Sequence, residues 1–254
     1  MLHVTHGLAC GVFCLLFNLG LTAQDKKTDD IPGLIKKLQA ALPDAKKDGE
    51  IRETIDKLVA GVAKMDVKTR KDVAHGLGAV FNAKRTHEAC EIFTSAANAL
   101  GQLGADGAAE LRKVIDQKPY KNEKEWQTFR AQAVDNLGKT KDAASVKFLT
   151  DLFRDIHNPI IAAAGKALGN FTDAAPAVRK EIVGEMVKTL ESIYNQSKAS
   201  VDPNDIQQKR FQETYTAIQD PWFGSLKSLT GQDLRDPTEW VKWWNKAKGK
   251  FPGK

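Results

Sequence analysis

Apolar residues recur along the chain at three-and-four spacing: Leu34, Ile35, Leu38 and Leu42; Ile51, Ile55, Leu58 and Val62; Val73, Leu77, Val80 and Phe81; Ile92, Phe93, Ala96 and Leu100. The pattern continues through Leu111, Val114 and Ile115; Trp126, Phe129, Ala133 and Leu137; Val146, Leu149, Leu152 and Phe153; and Val178, Ile182, Met186, Leu190 and Ile193. Such spacing gathers apolar side chains on one face of a helix, and no period-two run competes with it. The sequence therefore predicts an all-α chain.

Between these segments a short phrase recurs: "VAGVAKMD" (59–66), "NALGQLGAD" (98–106), "VDNLGKTKD" (134–142) and "KALGNFTD" (166–173). Each contains a glycine followed by an aspartate: Gly61 and Asp66, Gly101 and Asp106, Gly138 and Asp142, Gly169 and Asp173. The glycine either takes a left-handed helix end or lets a neighbouring helix approach, and the aspartate accepts from the first free N–H groups of the next helix. A period of roughly 30 to 40 residues is that of stacked helix pairs, none of which buries its apolar faces alone. The expectation is an α-solenoid of about five pairs.

Other boundaries agree. Asn158-Pro159, Asp202-Pro203 and Asp236-Pro237 read as an N-cap followed by the first helical residue, and Asp236 with Glu239 forms a capping-box pattern. "KPYKNE" (118–123) reads as a turn within a pair, and "NQSKASVDPND" (195–205) as a polar loop inside an enlarged final pair. Trp222 and Phe223 follow an expected break at Asp220-Pro221 and are expected to plug the end of that pair.

The stretches "ANALGQLGADGAAELRKVI" (97–115) and "AGKALGNFTDAAPAVRKEI" (164–182) resemble the HEAT-like repeat of the phycobilisome-lyase type, over about residues 55 to 195. The ending "LTGQDLRDPTEWVKWW" (229–244) is similar to a C-terminal phrase of exported bacterial HEAT-repeat proteins of planctomycete type. The resemblance implies a right-handed superhelix in which one helix of each pair lines a concave contact face. It carries no catalytic residue across.

Residues 1–23 contain no Asp, Glu, Lys or Arg, and their apolar run from Leu8 to Leu21 is short for a bilayer span. They read as a secretory signal peptide, leaving residues 24–254 as an exported HEAT-like domain, periplasmic or secreted, with no membrane span. Cys10 and Cys14 lie in that leader; with Cys90 alone remaining, the exported chain is held by its core rather than by disulfides. The 38 Lys and Arg against 32 Asp and Glu give a net charge of +6, interspersed along helices. That balance suits an anionic envelope polymer as an alternative partner, whereas nucleic acid is not expected without a basic stripe or recognised module.

No G-x-S-x-G, Walker, H-E-x-x-H or C-x-x-C-H motif is present, so neither catalytic residues nor cofactor are assigned. His87 and Cys90, three apart, have no matching second pair for a metal; packing is the expected role, and no metal site is assigned. Bilin attachment by relatives with this repeat type leaves a chromophore-lyase-like enzyme as the remaining alternative. "NFT" (170–172) and "NQS" (195–197) are glycosylation sequons, relevant only in a host that glycosylates exported asparagines. Trp126, Phe129, Ala133 and Leu137 share one stripe with Arg130 at its edge, which makes Arg130 the candidate for a partner contact on the concave face. The expected function is a non-catalytic protein-interaction scaffold.

Trp240, Trp243 and Trp244 fall at i, i+3 and i+4 of a helix starting at Asp236, and so point broadly one way. A solenoid ends in an exposed apolar face that needs covering, and each indole buries roughly 150–250 Å². These three tryptophans are expected to form a structural cap within residues 229–254.

Overall fold

The computed structural model describes residues 30–199 and 204–251. The expected leader, with Cys10 and Cys14, and the Asp202-Pro203 cap lie outside the described residues. The described chain is all-α: α1 (Ile31–Ala41), α2 (Asp48–Val59), α3 (Val67–Gly78), α4 (Glu91–Leu100), α5 (Gly104–Asp116), α6 (Lys118–Asn122), α7 (Gln127–Lys139), α8 (Val146–Asp151), α9 (Asn158–Leu168), α10 (Pro176–Ser197), α11 (Ile206–Thr230) and α12 (Pro237–Ala247). No strand occurs among the described residues.

Aspartates start several of these helices by satisfying N–H groups that have no partner within the helix. The carboxylates of Asp30, Asp66 and Asp205 accept from Gly33 N at 3.1 Å, Thr69 N at 2.7 Å and Gln207 N at 2.9 Å. Asp236 accepts from Thr238 N at 2.6 Å and Glu239 N at 3.2 Å, with Pro237 as the first helical residue. At Asn158-Pro159 the helix begins one residue earlier than expected: Asn158 is already inside α9, and its amide oxygen accepts from Thr214 at 2.8 Å.

Packing runs between near neighbours in the chain. One series joins α2 to α4, α4 to α7, α7 to α9 and α9 to α11; another joins α1 to α3 and α3 to α5, and later α8 to α10 and α10 to α12. Between the two series lies a continuous core that includes Leu38, Leu58, Leu77, Ile92, Leu111, Leu137, Leu168 and Ile182, each without solvent exposure. Each buried aliphatic side chain stabilises the fold by about 1.5–3 kcal/mol.

Three of the four recurring glycines serve helix approach, and none of the four takes a left-handed helix end. A Cβ on Gly138 would meet Ala167 Cα at 2.6 Å, and one on Gly101 would meet the Asn136 carbonyl oxygen at 3.2 Å, so these positions set how near α9 comes to α7 and α7 to α4. Gly169 lies against Ser225 of α11 in the same way, whereas Gly61 has open space. Left-handed residues follow α7 at Lys141, φ 52°, and α11 at Gly231, φ 77°, whose N–H donates to Lys227 O at 2.8 Å and closes α11. Of the four phrase aspartates, Asp66 caps α3 and Asp142 caps a short 3-10 turn before α8; Asp106 lies inside α5, and Asp173 ends a turn without capping α10.

Three further expectations are corrected. The 118–123 stretch is the short helix α6 rather than a turn, held by buried Tyr120, whose hydroxyl donates to Phe81 O at 3.0 Å. Asp220-Pro221 does not break the chain, because α11 runs through Pro221. Proline costs a helix interior about 3 kcal/mol, which burial of Trp222, Phe223 and Leu226 just beyond it exceeds. Trp222 accordingly sits against the middle of α9 and does not plug an end: its Nε1 donates to Ile161 O at 3.2 Å.

Candidate functional site

Arg130 is fully buried, which corrects its placement at an accessible edge. Its Nε donates to Ile115 O at 3.0 Å, and its Nη2 lies 2.8 Å from the Asp155 carboxylate. Asp155 in turn accepts from His157 N at 2.9 Å, so one guanidinium ties α7 to the end of α5 and to the turn before α9. The stripe of Trp126, Phe129, Ala133 and Leu137 is buried as expected, and Arg130 lies under it rather than beside it. Burying a guanidinium requires a carboxylate partner and hydrogen bonds; Nε and Nη1 donate to Ile115 O and Gln127 Oε1, while Nη2 meets Asp155 as a charge without a hydrogen bond.

Several pairs absent from the sequence reading join helices at 30 to 39 residues' separation, the spacing of the recurring phrase. Arg112 Nη1 lies 2.7 Å from Asp142 Oδ2, Lys141 Nζ 2.7 Å from Asp173 Oδ2, and Arg70 Nε 3.7 Å from Asp106 Oδ2. Partial burial works against ionisation of Asp142, yet hydrogen bonds from Arg112, Ser145 and the Ala144 N–H hold its carboxyl below the usual carboxylate range. The signal that finds such pairs is a base followed one repeat later by a phrase aspartate.

A second set links α2, α4, α7 and α9 in succession. Arg52 pairs with Glu91 at 2.9 Å, Thr94 Oγ1 donates to Gln132 Oε1 at 3.1 Å, Asn136 Nδ2 donates to Asn98 Oδ1 at 2.9 Å, and Lys166 pairs with Asp135 at 2.7 Å. Each exposed ion pair contributes little alone, but together the bonds fix the register of adjacent helices while leaving Arg52, Asn98, Gln132 and Lys166 exposed.

His87 and Cys90 flank the start of α4 without converging on a common ligand. His87 Nε2 faces Glu88 Oε1 at 3.2 Å, and its ring stands edge-on to Trp126 with centroids 6.3 Å apart. Burial pushes the Cys90 thiol above its ordinary value, which disfavours the thiolate that nucleophilic attack requires. Among the described residues no group of three or more His, Cys, Asp or Glu is placed to hold a metal. No described helix is long and apolar enough to cross a membrane. Asn195 of the second sequon is exposed on α10, while Asn170 of the first is half-buried and donates to Ala167 O at 3.1 Å.

The three C-terminal tryptophans are unequal. Trp240 is fully buried and its Nε1 donates to Leu234 O at 3.0 Å. Trp243 stands edge-on to Trp240 at 5.6 Å, and Trp244 lies over Gly184 of α10; both are half-buried, with Phe251 packed against them.

Besides a recess of about 550 Å³ against Trp244, two others open on the described surface. One, of about 1090 Å³, lies between α1 and α3, with Ile31, Ile35 and Met65 among its lining residues. The other, of about 720 Å³, is bounded by the turn before α9, by α10 and by the first turns of α11. Its lining includes charges of both signs above an apolar floor.

No protein-family model and no curated protein matches the chain. Among solved structures, the crystal structure of an engineered protein is similar at a TM-score of 0.30 and 16% identity, over 78% of this chain and 94% of that one. A likeness that distant in shape carries no argument about fold or function.

Proposed function

We propose that the protein is an exported, non-catalytic interaction scaffold that binds a partner protein through a concave face formed by α2, α4, α7, α9 and α11. In this reading the chain is a right-handed α-solenoid of five HEAT-like pairs, α1/α2, α3/α4, α5/α7, α8/α9 and α10/α11. Helix α12, with Trp240, Trp243 and Trp244, is the cap of the last pair. The observation that supports the reading is the side-chain ladder from Arg52 to Lys166, which braces successive helices and presents exposed polar groups along one face. A rigid, extended surface loses little conformational entropy on binding, which suits a scaffold.

The test is capture from the native envelope by the immobilised protein, compared with an Arg52→Glu, Lys166→Glu variant whose melting curve is checked first. A partner held by the unaltered protein and lost from the variant is expected. Capture unchanged by charge reversal overturns the assignment of the face. The net charge of +6 supports a second reading, binding of an anionic envelope polymer. Binding that collapses with added salt would select the polymer, because salt screens exposed charges far more than a dry interface.

A further inference from the structure

We propose that the recess between the turn before α9, α10 and α11 is a peptide-binding cleft, taking a short segment of a partner protein with an apolar anchor beside acidic side chains. The inference rests on the scaffold reading only in taking a protein as ligand; the cleft is separate from the ladder of polar pairs.

Its floor is apolar. Phe153, Ile161 and Ile193 are almost wholly buried, and Phe211 is half-buried. At the rim, Ile156 is 78% exposed, and Ile206, beside the cleft-lining Gln207, is 74% exposed. Beside the apolar floor, these two side chains extend the apolar surface that a bound segment would cover. A volume of about 720 Å³ admits a few side chains of a peptide and lies within the usual range for a ligand site.

The walls favour a peptide over a uniformly charged ligand. Thr189, Ser192 and Gln196 from α10 face Gln207 and Thr214 from α11. Hydroxyl and amide groups both donate and accept, as pairing with backbone N–H and C=O requires. Thr214 also fixes the geometry, since its Oγ1 lies 2.8 Å from Asn158 Oδ1 and 2.9 Å from Arg210 O, joining the α11 wall to the first turn of α9.

The charges give the ligand its sign. Arg154, Lys188 and Arg210 line the cleft with Glu185 and Glu213, while Asp155 is already neutralised by Arg130. None of those five charges makes an ion pair among the described residues, so the cleft retains an excess of positive charge. Helices α10 and α11 are antiparallel, with Tyr194 against Tyr215 at 5.3 Å and Gln212 Nε2 donating to Ser197 O at 3.2 Å. Consequently Lys188 and Arg210 each stand nearly one turn closer to the α10–α11 connection than the acid on the same wall, and the acidic side of the ligand faces that connection.

The probe is a phage-displayed pool of random peptides selected on the full exported chain. Enrichment of sequences pairing a large apolar residue with Asp or Glu is expected, with affinity lowered about tenfold by Arg210→Glu and by Ile156→Asp. The Arg52→Glu, Lys166→Glu variant should bind them unchanged. No enrichment, or enriched peptides indifferent to both cleft substitutions, overturns the proposal. So does binding lost only in the Arg52→Glu, Lys166→Glu variant. Both cleft side chains are exposed, so thermal midpoints should hold; if Ile156→Asp lowers the midpoint, Arg210→Glu alone decides. Envelope capture tests the ladder face separately, so either assignment can fail without the other.

Discussion

Trp222 lies directly on Gly165. The indole of α11 occupies the space a side chain on α9 would need, and its Nε1 donates to Ile161 O at 3.2 Å one turn away. Phe153 completes the contact at a ring-centroid distance of 4.5 Å. This pairing fixes how closely α9 and α11 approach, and so how the α11 wall of the cleft sits over Ile161 in its floor.

Gly165→Ala is therefore expected to destabilise the protein by about 1–3 kcal/mol, because the new methyl collides with a buried indole that cannot move aside. Gly224→Ala, on α11 with open space around it, should instead stabilise by about 0.5–1 kcal/mol through helix propensity. Denaturant unfolding of both variants checks the difference. Equal effects would mean that Gly165 is not set by contact with Trp222.

Arg130→Met should cost about 3–5 kcal/mol, because it leaves the largely buried Asp155 carboxylate without its guanidinium. Arg130→Lys should also be destabilising, since a single ammonium cannot reproduce the fork that reaches both Ile115 O and Asp155. Chemical denaturation measures both changes; a loss within experimental scatter would place Arg130 outside the stabilising core.

The stability profile against pH should fall on both sides of neutrality. Hydrogen bonding from the Thr69 N–H holds the Asp66 carboxyl below its ordinary value, and the Lys141 ammonium does the same for Asp173. Such carboxylates contribute stability that is present above the unfolded-state value and lost as pH falls through the lower folded value, below about pH 4. Burial raises the Tyr120 phenol, whose contribution is present below its unfolded value of about 10 and lost at higher pH. Urea unfolding across pH should show Asp142→Asn shrinking the acid limb and Tyr120→Phe shrinking the alkaline one. Unchanged limbs would remove these groups from the linkage.

Among the C-terminal tryptophans, Trp240→Ala should cost about 3–5 kcal/mol and Trp243→Ala distinctly less, because only Trp240 is fully buried. Thermal midpoints would show the order. If Trp243→Ala abolished partner capture with its midpoint unchanged, the aromatic cluster would be a binding surface rather than a cover for α10.

By itself the sequence determined the all-α class, most helix positions, and the starts of α3 and α12 at Asp66 and Asp236, because helical periodicity and capping act over a few neighbouring residues. It also marked the glycines without deciding their use, since left-handed conformation and close helix approach leave the same residue in the chain. Only the tertiary structure placed Arg130 under the stripe instead of at its edge, because its partners, Ile115 O and Asp155, come from segments whose approach local pattern does not specify. The continuation of α11 through Pro221 was decided by packing across to α9, which outweighs the local cost of proline. The cleft was hidden for the same reason. Phe153 and Ile193 read in sequence as ordinary helix-face residues, and with Phe211 they become the floor of one recess only when three separate segments meet.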